Sequence, residues 1–214
     1  TTSPLEAGLG WITKFTKDTD ELKALFEGFI KAGHHTYFAL AKYTEDATKP
    51  LPEGGRKIIH TESLQSLWLD IDCGAGKDKE IEQSTGLPKG YAGKKEGYQA
   101  AKKFWKLLDL PDPTVVDSGH GLHLYWAFSE EVPRDKWIPL ADRLKEVCVT
   151  QKFAADPHVF DAARMLRVPD SYNVKTDPPK KVTVAPLAAP IDVAVMREAL
   201  GVAEDAVVET KAPT

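Results

Sequence analysis

Cysteine is scarce in this chain. Of 214 residues only Cys73 and Cys148 are cysteines, and neither has a Cys or His neighbour at zinc-finger spacing. A structural zinc is therefore not expected, and the scarcity fits a reducing, intracellular setting. Long apolar runs are missing too. None approaches the ~18 residues of a membrane span, and the first residues lack the basic-then-apolar order of a signal peptide, so no membrane contact is expected. Nor is there an excess of positive charge: 28 Lys and Arg face 32 Asp and Glu, a net charge of −4. Proteins that wrap duplex DNA through a broad surface are usually basic, so any nucleic-acid contact here must be local. There is no internal repeat. What remains, 42% hydrophobic and 28% charged, is an ordinary globular composition, long enough for one large or two small domains.

What is present centres on Leu67-Trp68-Leu69-Asp70-Ile71-Asp72. In a strand, successive side chains point to opposite faces. Leu67, Leu69 and Ile71 then pack into a core, while Trp68, Asp70 and Asp72 share the other face. The two carboxylates stand roughly 7 Å apart along the strand. Two like charges so close repel, and a divalent cation relieves them because hard cations prefer carboxylate oxygen. The plainer alternative is a strand end with solvated acids. Trp68 reads as a buried residue, or as an aromatic surface for a nucleic-acid base.

Around this strand the pattern predicts a mixed α/β, or α+β, domain. Residues 1–10 read as a lead-in. Thr19-Asp20-Glu21, followed by Leu22, Leu25, Phe26, Phe29 and Ile30, predicts an amphipathic helix ended by Gly33. Residues 35–43 alternate as a strand, 44–57 read as a loop, and 73–92 as a long surface loop beside the acids. Further helices are predicted over Glu96–Leu108, 134–150 and Asp192–Leu200. Residues 114–118 and 122–128 read as two strands joined by a tight turn, and Lys181–Ala185 as a strand. The lysines of the Glu96–Leu108 region, Lys94 to Lys106, read as a solvated face or a nucleic-acid contact. Val202 onward reads as a tail or linker.

Two further stretches carry chemistry. In Ser118-Gly-His-Gly-Leu-His123, glycines at 119 and 121 permit close approach of backbone to a ligand. Ser118 and His123 add donors, and the combination suits a triphosphate. Each has a plain reading as well: His120 exposed at the tip, His123 a structural histidine. The second stretch, Asp156 to Lys175, holds Asp161, then Arg164 and Arg167, then Asn173 and Lys175. Arginines at i and i+3 would share a face of a helical turn and clamp phosphate oxygens. They would equally make salt bridges with Asp156 and Asp161.

Phosphoryl transfer from a nucleoside triphosphate needs carboxylate-held metal, cations and amide donors, and little covalent chemistry. Two metals about 3.5–4 Å apart activate a hydroxyl and stabilise leaving pyrophosphate.

The order of these motifs resembles the archaeo-eukaryotic primase superfamily, above all the primase-polymerases of phages and plasmids. The resemblance covers roughly residues 35–185. It implies an RRM-like catalytic sheet, about 67–185, joined to an N-terminal α/β module, about 11–66, within a catalytic domain over 1–201. It implies that Asp70, Asp72 and Asp161 are catalytic and bind Mg2+ or Mn2+ as a two-metal site. It makes His123, Ser118, His120, Arg164, Arg167, Asn173 and Lys175 candidates for binding the nucleotide. Where many relatives have Pro-Gly-Thr, this chain has Pro169-Asp170-Ser171, and Asp170 is expected to face away from phosphate. The implied function is primer synthesis and extension from NTP or dNTP on a single-stranded DNA template, gripped by local lysines and aromatics. The implied setting is the cytoplasm of a bacterial or archaeal cell, with a viral or plasmid gene included. Relatives often continue into a helicase, which makes a helicase an expected partner and the chain an expected excised domain.

Three other readings compete. A Mn2+-dependent glycosyltransferase also uses Asp-x-Asp, but leaves the third acid, the arginines and the hairpin histidine without a role. A non-catalytic RRM-like binding module expects aromatics on its open sheet face, where this chain offers acids. A rolling-circle nickase brackets one hydrophobic residue with its histidines, whereas two residues separate His120 from His123.

Overall fold

The computed structural model describes residues 2–4 and 11–208, with side chains from residue 12 onward. In chain order it forms β1 (Thr2–Pro4), β2 (Trp11–Thr13), α1 (Thr19–Lys31), β3 (Tyr37–Ala39), β4 (Ala41–Tyr43) and β5 (Thr61–Cys73). Then come β6 (Ile81–Glu82), β7 (Leu87–Pro88), β8 (Gly90–Tyr91), α2 (Lys94–Leu107), β9 (Thr114–Asp117), β10 (Gly121–Pro133) and α3 (Arg134–Thr150). The chain continues through β11 (Met165–Arg167), β12 (Tyr172–Asn173), β13 (Lys180–Lys181), β14 (Thr183–Val184) and α4 (Val193–Leu200). This is the mixed α/β class that the sequence predicts. Of the expected lead-in, residues 2–4 are strand and the others lie outside the described residues. Residues 209–214 of the expected tail do so too, while Val208 donates its amide to the Asp135 carbonyl on α3 at 3.1 Å.

The larger sheet has the order β14-β9-β10-β5-β4, with β8 added in parallel at the end of β5. Its centre is the long antiparallel pair β5–β10, and alternation along that pair builds the core. Leu67, Leu69 and Ile71 are buried together with Leu122 and Leu124 of β10. Ala101, Phe104 and Trp105 of α2 join them, as do Leu140, Ala141 and Leu144 of α3. Gly97 of α2 lies against Ile71 and Cys73, which places α2 on the apolar side of β5. Each buried leucine contributes about 1.5–3 kcal/mol.

The smaller sheet, β11-β3-β1-β2, shares the chain with the larger one in an interleaved way. Residues 35–43, predicted as one strand, are two. At Leu40 the amide turns to the Arg164 carbonyl at 3.2 Å; β3 before it belongs to the smaller sheet and β4 after it to the larger one. Residue 67, the predicted boundary between modules, falls inside β5. Because β11 pairs with β3 (Leu166 opposite Phe38, Arg167 opposite Tyr37), the segment after Asp161 is pulled back against the centre of the molecule.

Local signals hold where they are chemical. Asp18 caps α1, its carboxylate accepting from the Glu21 amide at 2.7 Å. Asp192 caps α4, and Gly201 ends it with φ of 66°. The expected loop 73–92 contains a small β6–β7 hairpin and the β8 strand.

Candidate active site

The register of β5 with β10 sets the site. Asp70 stands opposite His123 and Asp72 opposite Gly121. Directly opposed residues of an antiparallel pair project to one face, so the two acids and the imidazole share the face away from Leu67, Leu69 and Ile71. Trp68 has the same parity, opposite Tyr125, but it is buried. Its indole N–H donates to the Val159 carbonyl at 2.8 Å, and its ring stacks on Trp137 at 4.9 Å. It offers no surface to a base.

Asp70 keeps 24% of its side chain exposed, yet its carboxyl sits deep enough for burial to push its pKa up to about 7. The negative charges of Asp72 and Asp156 add to that push, and Arg164 and Lys175 oppose it. Asp72 is more open, 49% exposed, and pairs with the Lys77 ammonium at 3.0 Å. His123 is 3% exposed. Burial, then the positive charges of Arg167 and Arg164, drive its pKa down to about 3, so at neutral pH it is an uncharged imidazole. Its Nδ1 meets the Tyr125 hydroxyl at 3.2 Å. Its Nε2 is 3.8 Å from Asp70, beyond hydrogen-bond range.

The two arginines are not on a helical turn. Pairing of β11 with β3 overrides the predicted helical spacing, leaving Arg164 just before the strand and Arg167 at its end. Both still act on His123. Arg167 is buried, with its guanidinium 4.7 Å over the Tyr37 ring and Nη1 at 3.0 Å from His35 Nδ1. A guanidinium only donates, so His35 Nδ1 is the acceptor and carries no proton; burial and the Arg167 charge hold the His35 pKa down accordingly. Arg164 binds Asp156 at 3.0 Å and lies 3.9 Å from Asp161. The salt-bridge alternative thus describes Arg164; Arg167 has no carboxylate within ion-pair distance among the described residues, and the Asp70 charge acts on it from farther off.

Asp161 accepts from the Ala163 amide at 3.0 Å and its charge is felt by Tyr43. Asp156, not Asp161, is the further acid that Asp70 senses. Among the described residues no three His, Cys, Asp or Glu side chains are arranged to hold one metal ion. The acids nonetheless fit a hard divalent cation in part. Two carboxylates share a face, and one of them is held protonation-prone by burial first and then by the other's charge, a strain that a cation relieves. Asp161 is engaged by Arg164 instead of completing the set.

The hairpin is tightly built. Gly119, at φ of 90°, has no room for a Cβ, which would come 2.9 Å from that of Asn173. A Cβ on Gly121 would lie 2.3 Å from the Ile71 carbonyl oxygen. The glycines thus answer to close approach of the chain to itself. Ser118 N–H donates to the Gly121 carbonyl at 3.0 Å and Gly119 N–H to Asp117 at 2.8 Å. Asn173 is buried, donating from Nδ2 to the Ser118 carbonyl at 2.8 Å, so it clamps the hairpin. Its Oδ1 accepts from the Lys175 amide at 3.3 Å, leaving the exposed Lys175 ammonium near Asp70. His120 is at the tip, with Nε2 3.3 Å from the Thr176 hydroxyl. Asp170 points to Lys181 at 2.9 Å, away from this cluster.

Sequence reasoning missed four neighbours. His35, just before β3, and Tyr37, its first residue, share one parity, a signal visible but without meaning until β11 pairs there. Asp156 looked like a salt-bridge partner only. Lys77 lies in an aperiodic loop that carries no signal.

With this geometry in view, the chain superposes on the AEP domain of the cyanophage S-2L primase-polymerase. The TM-score is 0.59, over 93% of this chain and 86% of that one, at 16% identity. The chain has the AEP fold. A replication protein of Clostridium perfringens is 32% identical over 126 residues, which make up 56% of this chain and 27% of that protein. The AEP-fold chain therefore spans about a quarter of that relative's length. No family model matches it, and among the described residues no helix is long and apolar enough to cross a membrane.

Proposed function

We propose that this AEP-fold chain is the catalytic part of a replication enzyme, a nucleotidyltransferase that makes and extends primers on single-stranded DNA from NTP or dNTP. The observation that carries the reading is the face of β5–β10. There Asp70 and Asp72 adjoin a neutral His123 and the buried Arg167, which has no carboxylate at ion-pair distance among the described residues and feels the Asp70 charge, an acid half beside a cationic half.

Asp70 and Asp72 would hold Mg2+ or Mn2+, with Asp161 as the third ligand on leaving Arg164. A bound divalent pair supplies charge neutralisation and an activated sugar hydroxyl. The chain's own groups do the remainder. The Tyr125 hydroxyl donates to His123 Nδ1, which puts the imidazole proton on Nε2, where it donates to a phosphate oxygen. Arg167, fixed by Tyr37 and His35, and Lys175 take the other phosphate oxygens. His120 extends this row at the hairpin tip. Ser118 and Asn173 hold the hairpin in place. A helicase is a proposed partner of the longer protein.

The test is a primer-synthesis assay. Single-stranded template, Mg2+ or Mn2+ and all eight nucleotides are supplied with and without primer, and products are sized on a gel. Template-dependent products that vanish with Asp70→Asn support the reading. Transfer from sugar nucleotides instead, or metal-independent DNA binding without synthesis, refutes it.

A further inference from the structure

The reading of Asp70 and Asp72 as a cation site raises the question of what balances their charge before a cation arrives. For Asp72 the answer is Lys77, whose ammonium lies 3.0 Å from its carboxylate. Lys77 follows β5 by four residues, on a turn that folds straight back. Its amide bonds the Gly74 carbonyl at 3.1 Å, and the Lys79 and Glu80 amides both bond the Gly76 carbonyl at 3.0 Å. Beyond the turn the chain is tied again, the Lys89 amide to the Glu80 carbonyl at 2.8 Å. A lysine on such an exposed turn ordinarily extends into water. This one is only 33% exposed, and its charge is favoured by Asp72, Glu80 and Asp156 together. Each nearby acid other than Asp70 thus has a resident cation, but the two cations differ. Arg164 is shared between Asp156 and Asp161. Among the described residues Lys77 makes one ion pair, through a compact ammonium on a flexible stem.

We propose that Lys77 is an exchangeable countercation: it occupies Asp72 until a divalent cation enters, then moves to the phosphates of the triphosphate that arrives with it. This rests on the proposed function above. The physics is a charge swap. A divalent ion at Asp70 and Asp72 repels the ammonium, while the triphosphate supplies a new anion within reach of its stem. The metal alone must displace Lys77 without that compensation, so metal and triphosphate each strengthen the other's binding, and by the same factor. Lys77 in this account binds the substrate's phosphates and stays outside the reacting atoms.

Binding of Mn2+ to the full chain, followed by the electron-spin signal of free Mn2+, tests it without turnover. Lys77→Ala should bind Mn2+ alone about threefold to tenfold tighter than wild type, and Lys77→Arg should match wild type. In the presence of Mn2+, Lys77→Ala should bind a non-hydrolysable nucleoside triphosphate several-fold more weakly but a nucleoside monophosphate unchanged. Unchanged Mn2+ affinity in Lys77→Ala, with Asp70→Asn having lost it, reduces Lys77 to a surface salt bridge and overturns the proposal alone. Unchanged Mn2+ affinity in Asp70→Asn overturns the metal site itself. Tighter Mn2+ with undiminished triphosphate affinity overturns the transfer to phosphate. Circular dichroism of each variant controls for folding.

Discussion

Residues of one strand pair alternate between two fates. On one face of β5–β10, Leu67, Leu69, Ile71, Leu122 and Leu124 are sealed by α2 and the rest of the core. On the other, Asp70, Asp72 and His123 crowd like charges and a desolvated imidazole together. The covered face supplies stability, and the open face spends part of it on a strained polar constellation. A shift of register by one residue would exchange the two faces, so the apolar side also fixes where the acids stand.

The widest separation of the faces should appear in activity. Asp70→Asn changes no volume and leaves the covered face untouched. Primer extension should fall by about a thousandfold or more, while affinity for single-stranded DNA, followed by fluorescence anisotropy, stays within about twofold of wild type. A parallel loss of DNA binding would mean that the open face serves the template and not the reaction.

The opposite substitution is Leu124→Ala, at a fully buried position of the covered face. Transfer loss plus the cavity left behind should cost about 2–5 kcal/mol, read by urea denaturation. Activity per folded molecule should hardly change. If activity falls with stability intact, the faces are not independent.

These predictions rest on parts of the molecule that were legible in sequence, and it is clear why. The alternation over residues 67–72 and the strand–turn–strand at 114–128 are local patterns, and the strands form where the pattern puts them. What was not legible depends on partners remote in sequence. Nothing local to residues 35–43 says that Leu40 will bond Arg164 and split the strand. Nothing local to Arg164-Met-Leu-Arg167 prefers strand over helical turn; the free edge of β3 decides it. For the same reason the contact of Lys77 with Asp72, and the grip of Arg164 on Asp156 and Asp161, emerged only from the fold.

The strain on the open face has its own signature in pH. The carboxyl of Asp70 rises from 3.8 to about 7 on folding. Between those values the folded chain binds more protons than the unfolded one, so this group's contribution to stability falls as pH rises, and the loss is complete above pH 7. Asp70→Asn removes the titration. The variant should be more stable than wild type at pH 8 by about 1–3 kcal/mol, after allowing for solvent at the partly exposed Asp70 side chain, and close to wild type at pH 4. Millimolar Mg2+ or Mn2+ should close the gap at pH 8 by binding wild type only. A gap that ignores both pH and metal would place its origin outside the carboxyl.

The smallest effect contrasts two helices of similar length. In α2, Gly97, Ala101, Phe104 and Trp105 are buried; in α1 no residue is. Leu22, Leu25, Phe26, Phe29 and Ile30 form an equally good apolar stripe on α1, but all are only half-buried. Amphipathic periodicity states which face turns inward, not how much lies beneath it. Phe104, stacked on Phe153 at 4.4 Å, should cost about 3–5 kcal/mol when cut to Ala. Phe26→Ala, with less contact to lose, should cost about 1 kcal/mol. Hydrogen exchange gives the same contrast without mutation: amides of α1 should exchange through local opening, well before those of α2. Equal protection of the two helices would mean that α1 is as firmly held as the core, and that its half-buried stripe is sufficient.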